Sequence, residues 1–301
     1  IEEPAAADDA PAADEAAPAT AAGARLIVSM SAVSLLTAVA LLTWPDAVSS
    51  VFAAAPPSGN LKANVTSGEH AVFARDLAGA SAILLQNNVP VTDADSREAR
   101  CVLPLKKGQK IAVVGDAAHK RPIVTGGGSG HVDPAWVSTH FSALAAQTDA
   151  TYADSSDPVA AAALAAQSDV AVVVVGVESR EGQDRPSLGL SEADDSLVRA
   201  VAAANPKTVV VVCAPGPVLL PWRKDVPAIL FTLYGGQEAG AGVADVLFGD
   251  RAPSGRLPFT IPAEEPTFPP TAFPGEGGDA VYLEKLRIGY RAYRPLGSGE
   301  E

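Results

Sequence analysis

Sulfur, aromatic rings and positive charge are all scarce in this chain. Its 301 residues hold two cysteines and one methionine. With only Cys101 and Cys213, no framework of several disulfides can form, and no Cys/His spacing matches a zinc site. A single bridge between the two stays open. Cys213 follows a valine run and reads as a buried free thiol. The four histidines are scattered at 70, 119, 131 and 140. Lys and Arg total 22 against 35 Asp and Glu, giving a net charge of −13. A nucleic-acid partner wants a basic face, so that class is excluded. The nucleotide loops are missing too. Gly126-Gly-Gly-Ser-Gly lacks the lysine and spacing of a phosphate loop. Its dinucleotide reading fails because the last glycine would fall on His131.

Hydrophobic residues make up 48% of the chain, enough for a sizeable core. Their distribution divides the sequence. Residues 1–25 form an acidic Ala/Pro-rich tail, with no Lys or Arg before Arg25, and read as disordered. Leu26 to Trp44 is an uncharged run long enough to span a bilayer, a candidate signal anchor. A core or amphipathic helix is the alternative, since serines and Thr37 dilute the run. Asn64-Val-Thr is a glycosylation sequon, and with Arg25 on the cytoplasmic side it points to the secretory pathway, membrane-anchored or extracellular. Residues 45–66 read as a linker, 67–262 as the folded domain, and 263–301 as a Pro/Gly-rich tail packing back on it.

Within the folded part, apolar strands alternate with helices. Strands are predicted at 82–85, 110–114, 170–175, 208–212 and 228–231. Helices are predicted at 70–80, 136–146, 158–167, after Ser191, and at 238–248 with a stop at Gly249. Pro158 suits a first helical turn. Ser191 suits an N-cap. Such alternation indicates a parallel sheet covered on both faces.

The run of four valines from Val172 opens at Gly176 into a charged loop holding Glu178, Glu181, Asp184 and Arg185. Ligands of open parallel sheets bind beyond the carboxyl ends of strands. A carboxylate there can serve as acid or base. By spacing alone, a solvated loop with a local ion pair is the better reading, and Asp184 with Arg185 reads as that pair.

Several segments occur in one order. They are Ala82-Ile-Leu-Leu-Gln-Asn, Lys110-Ile-Ala-Val-Val-Gly-Asp, Gly126-Gly-Gly-Ser-Gly-His-Val-Asp-Pro, Glu181-Gly-Gln-Asp-Arg, Tyr234-Gly-Gly-Gln-Glu-Ala-Gly, Pro253-Ser-Gly-Arg-Leu-Pro and Ile288-Gly-Tyr-Arg. Together they resemble the second domain of glycoside hydrolase family 3, the β-glucosidase and β-xylosidase family, over about residues 70–294. The resemblance implies a six-stranded, mainly parallel α/β sandwich. It implies that Glu181 is the general acid/base, with Glu178 the rival, and that Asp184 and Arg185 support the loop. It sets Gly127, Gly128 and Ser129 near the substrate cleft. The implied reaction is hydrolysis of a terminal β-glucosidic or β-xylosidic bond with retention, without metal or organic cofactor. As an acid, Glu181 needs a pKa raised to roughly 6. The aspartate nucleophile belongs to a (β/α)8 barrel expected upstream, so this chain alone is expected to be inactive. Gln86 stands where the family usually has lysine, and Lys285 where Glu-Gly is usual. The alternative reading is a non-catalytic, membrane-tethered carbohydrate-binding or scaffold module.

Overall fold

Valine and isoleucine crowd their Cβ atoms, which suits the pleated surface of a sheet better than a helix. Where they run without interruption, both faces of the strand are covered. The computed structural model describes residues 63, 65–88, 101–265, 285–286 and 288–293. The candidate anchor, the sequon asparagine, most of the linker and most of the tail therefore lie outside the described residues. Among the described residues, no helix is long and apolar enough to cross a membrane. Thr66–Glu301 forms one compact unit.

Six strands make one sheet: β1 (Ile83–Asn87), β2 (Lys110–Val114), β3 (Asp149–Ala153), β4 (Val170–Gly176), β5 (Thr208–Cys213) and β6 (Ala228–Thr232). Their spatial order is β1-β6-β5-β4-β2-β3. Only β1 runs antiparallel, against β6, and the other pairs are parallel. The expected six-stranded, mainly parallel sandwich is thus observed. The central strands β4, β5 and β6 are buried apart from Gly176 at the end of β4, and apolar except for Thr208 and Thr232 at the ends of β5 and β6.

The period of two sorts each strand onto two cores. Val172, Val174, Val209, Val211 and Leu230 face one cluster, with Leu144, Val243 and Leu247. Ala171, Val173, Val175, Val210 and Phe231 face the other, with Leu197, Val201 and Trp222. The first face is covered by α2 (His140–Ala145) and α5 (Ala239–Phe248), with α1 (Gly68–Ser81) packed on α5. The second is covered by α3 (Pro158–Ala166) packed on α4 (Glu192–Ala204). Fully burying one valine or leucine is worth roughly 1.5–3 kcal/mol, so these two layers dominate the stability.

Local signals set the helix boundaries. Ser191 caps α4 by accepting from the Asp194 N–H, and three acids sit in its first turn. Asp157 caps α3 ahead of Pro158. The helix predicted from Trp136 starts only at His140. Thr139 caps it by accepting from the Ser142 N–H, and Trp136 instead donates its indole N–H to Glu238 at 2.6 Å. Strand β3 was not anticipated. Both cysteines are free, and burial pushes the Cys213 thiol up to about 11. The Gln86 amide donates to the carbonyls of Val226 and Arg223. Lys285 has φ 51, a conformation that glycine adopts freely and lysine does not.

His140 is fully buried at the start of α2, and its Nδ1 has no hydrogen-bond partner. Burial lowers its pKa from 6.5 to about 4, and the Ala117 carbonyl offsets this only in part. The N-terminal end of a helix also disfavours a cation. The unfolded chain therefore binds a proton that the folded chain refuses. Stability is full above pH 6.5 and falls as pH drops toward about 4. The loss is on the order of 3 kcal/mol. Denaturant melts at pH 7 and pH 4 should show it, and His140→Gln should flatten that pH dependence even if it lowers stability overall.

Candidate active site

The strand order reverses between β2 and β4. From β2 the chain goes outward to β3, then crosses back to β4 and continues to β5 and β6 on the other side. The loops following β2 and β4 therefore part at their strands, leaving a crevice beyond the carboxyl ends. Both sequence-predicted segments lie there: the glycine run follows β2, and the charged loop follows β4.

The two loops are joined by backbone. The Gly127 N–H donates to the Ser179 carbonyl at 3.0 Å, and the Glu181 N–H donates to the Gly127 carbonyl at 3.2 Å. Gly127 and Arg180 thus form a parallel bridge, and the β4 loop turns back on itself through a second bridge, Arg180 with Gln183. The Ser129 N–H then donates to Glu181 Oε2 at 2.8 Å. The glycines make this approach feasible. A Cβ on Gly126 would come within 3.1 Å of the Ser179 carbonyl oxygen, and one on Gly127 within 2.8 Å of the Arg180 Cβ. Gly128 has φ +96, and a Cβ on it would come within 2.4 Å of the Glu181 Cβ.

Glu181 is exposed, and its pKa is lowered below the ordinary 4.5 by hydrogen bonding from Ser129. This corrects the expectation of a raised value. A donor aimed at a carboxylate favours the anion, and there is too little burial here to oppose it. The expected ion pair between Asp184 and Arg185 is also absent. Arg185 instead donates from Nη2 to the Pro217 carbonyl at 2.8 Å, while Asp184 is exposed to water. Arg185 still braces the loop, but against the segment after β5. The carbonyl of Val177, at the root of the loop, accepts from the Tyr234 hydroxyl at 3.0 Å.

A cleft of about 520 Å³ opens beside the joined loops, lined by residues including His131, Glu178, Arg180, Gln183, Asp184 and Arg185. Glu181 is not in its wall and lies against Gly128 and Ser129. The rival Glu178 does line it. A larger cavity of about 870 Å³ lies near Gln86, Phe259 and Tyr290, but its lining has no carboxylate. The smaller one, which carries Glu178 and Asp184, is the candidate cleft. His131 was not singled out from the sequence, although the preceding glycines could have drawn attention to it. Among the described residues, no group of three or more His, Cys, Asp or Glu is arranged to hold a metal ion.

The family model for the glycosyl hydrolase family 3 C-terminal domain matches residues 82–290, a span that contains both loops. The chain belongs to this family. It is 44% identical over 139 residues to a probable β-glucosidase J of Aspergillus fumigatus, covering 44% of this chain and 16% of that protein. It is 34% identical over 248 residues to thermostable β-glucosidase B of Acetivibrio thermocellus, covering 76% of this chain and 31% of that protein. The crystal structure of a Bifidobacterium adolescentis family 3 β-glucosidase superposes with a TM-score of 0.66 at 30% identity, covering 78% of this chain and 35% of that one. The chain thus spans about a third or less of the length of these relatives.

Gly128 and Gly130, on either side of Ser129, separate a steric requirement from general flexibility. Gly128→Ala should destabilise the protein by about 1–2 kcal/mol, the cost of a left-handed residue with a Cβ, and should displace Glu181. Gly130→Ala meets nothing within 4 Å and should be near neutral. Thermal melts of the two variants compare them directly, and equal midpoints would contradict the packing described.

Proposed function

We propose that this chain supplies the acid/base domain of a retaining glycosidase of the β-glucosidase type, with Glu181 as the acid/base. The observation that carries the reading is the convergence of the glycine loop and the Glu181 loop at the switch point of the sheet. The β-glucosidases among the chain's relatives support the substrate class, a terminal β-linked glucose. A β-xyloside is the nearest variant of it. Asp184 and Arg185 are placed as loop support, and Gly127, Gly128 and Ser129 beside the sugar.

In such a reaction Glu181 protonates the departing glycosidic oxygen while an aspartate of a barrel domain attacks the anomeric carbon. It then takes a proton from the water that releases the sugar. The two carboxyl groups must lie about 5–5.5 Å apart. Uncovered, Glu181 is held as the carboxylate, the form required in the second step. A covering domain and a bound sugar would exclude water from it, which raises a carboxyl pKa toward that of an acid. Glu178 is the runner-up because it lines the cleft. The placement of the complete protein in the secretory pathway, with residues 26–44 as its anchor, remains part of this proposal and rests on the sequence alone.

The 301-residue chain by itself should not hydrolyse aryl β-glucosides, since it brings one of the two carboxylates. In a chain that carries the barrel, Glu181→Ala should lose 10²–10⁴-fold on substrates with poor leaving groups. Good leaving groups need little protonation and should suffer less. Azide should restore turnover by attacking the glycosyl intermediate without base assistance. If Glu178→Ala shows that pattern while Glu181→Ala stays near wild type, the roles are reversed.

A further inference from the structure

The Ser129 N–H reaches Glu181 only while the glycine loop keeps its shape, and one side chain ties that loop together. The His131 N–H donates to the Gly128 carbonyl at 3.1 Å, closing a turn around Ser129. The imidazole Nδ1 lies 3.0 Å from the Gly126 carbonyl oxygen, and Nε2 lies 2.9 Å from Asp133 Oδ1. A carbonyl and a carboxylate only accept hydrogen bonds. Both contacts are therefore satisfied together when each ring nitrogen carries a proton, in the imidazolium form. A neutral ring satisfies one and turns a lone pair toward the other acceptor.

We propose that protonated His131 is a positioning residue, a latch between Gly126 and Asp133 that holds the glycine loop closed and so keeps the Ser129 peptide on Glu181. Its catalytic meaning rests on Glu181 being the acid/base, but the latch itself does not. From the β4 loop, Glu178, Asp184, Arg180 and Arg185 line the same cleft, and none of them is among the causes that shift His131. Asp133 decides the balance, followed by the Gly126 carbonyl, and together they raise His131 above its ordinary 6.5. The sign follows from that direction. The latch is fully made below pH 6.5 and is lost as pH rises through the raised value. Glu181 is already ionised throughout that range, so the loop would open without any change in the charge of Glu181.

The test uses the chain itself, labelled with ¹⁵N, and follows the Ser129 amide against pH by NMR. In wild type that amide should move in two steps. One accompanies ionisation of Glu181, and the other coincides with titration of the His131 ring above pH 6.5. His131→Gln keeps a neutral donor but has no cation, and should abolish the second step. Asp133→Asn should shift the His131 titration down and carry the second Ser129 step with it. The Asp133 side chain is 96% exposed, so this variant should fold normally and keeps the idea testable if His131→Gln disturbs the loop. A Ser129 amide indifferent to His131 titration in wild type, or an unchanged second step in either variant, would overturn the latch. If Glu181→Ala leaves turnover unchanged in a chain that carries the barrel while Ser129 still follows His131 in this one, the latch stands and the acid/base assignment falls.

Discussion

The contact on which the site depends is between two stretches of main chain, Gly126–Ser129 after β2 and Ser179–Glu181 after β4. Each hydrogen bond across it is worth only about 0.5–1.5 kcal/mol net. Its importance is geometric. The strands that launch the two loops are fixed by a valine core buried on both faces. Their ends are therefore rigid, and the loops have little freedom in where they meet. Side chains at the three glycines would force them apart, and Glu181 would lose its partner in Ser129. The Glu181 carboxylate is thus held by Ser129 rather than by a counter-ion.

That choice of partner has a chemical consequence. A counter-ion such as Arg185 would pull the carboxylate toward the anion by long-range charge. Hydrogen bonding from Ser129, by its side chain and its N–H, does so locally and leaves the rest of the group open to water. An exposed group of this kind is sensitive to being covered. On the reading proposed above, the same Glu181 serves as base while solvated and becomes an acid once a barrel and a sugar remove its water. No rearrangement inside this domain is needed for that change. The buried groups of the domain behave differently. His140 and Cys213 are held neutral by burial in the core.

Most of the fold was legible because its strands are apolar and buried. Val170–Gly176 and Thr208–Cys213 could hardly be read otherwise. Strand β3 escaped because Asp-Ala-Thr-Tyr-Ala is a half-exposed edge strand with no apolar run. The early helix start at Trp136 overlooked Thr139 as a cap, and no sequence pattern reveals that Trp136 would bond Glu238 across 102 residues. The ordered segments pointed to the two loops that the structure joins, and the Glu-Gly-x-Asp-Arg register singled out Glu181 as the candidate acid/base. Its environment was not legible. The partner is a backbone N–H from a residue 52 positions away, and a main-chain donor carries no signature in the sequence. The Asp184–Arg185 pairing was inferred from adjacency. Neighbouring residues in an extended loop point apart, and Arg185 found a carbonyl inside the domain instead.

Everything proposed for the site depends on Glu181 being held as an anion by the glycine loop. The most direct measurement is the titration of its side-chain carboxyl carbon by ¹³C NMR in the chain as it stands. The midpoint should lie below the ordinary 4.5 and move up when Ser129→Pro removes both the N–H and the hydroxyl. A midpoint at or above the ordinary value in wild type, or one that Ser129→Pro leaves in place, would contradict it.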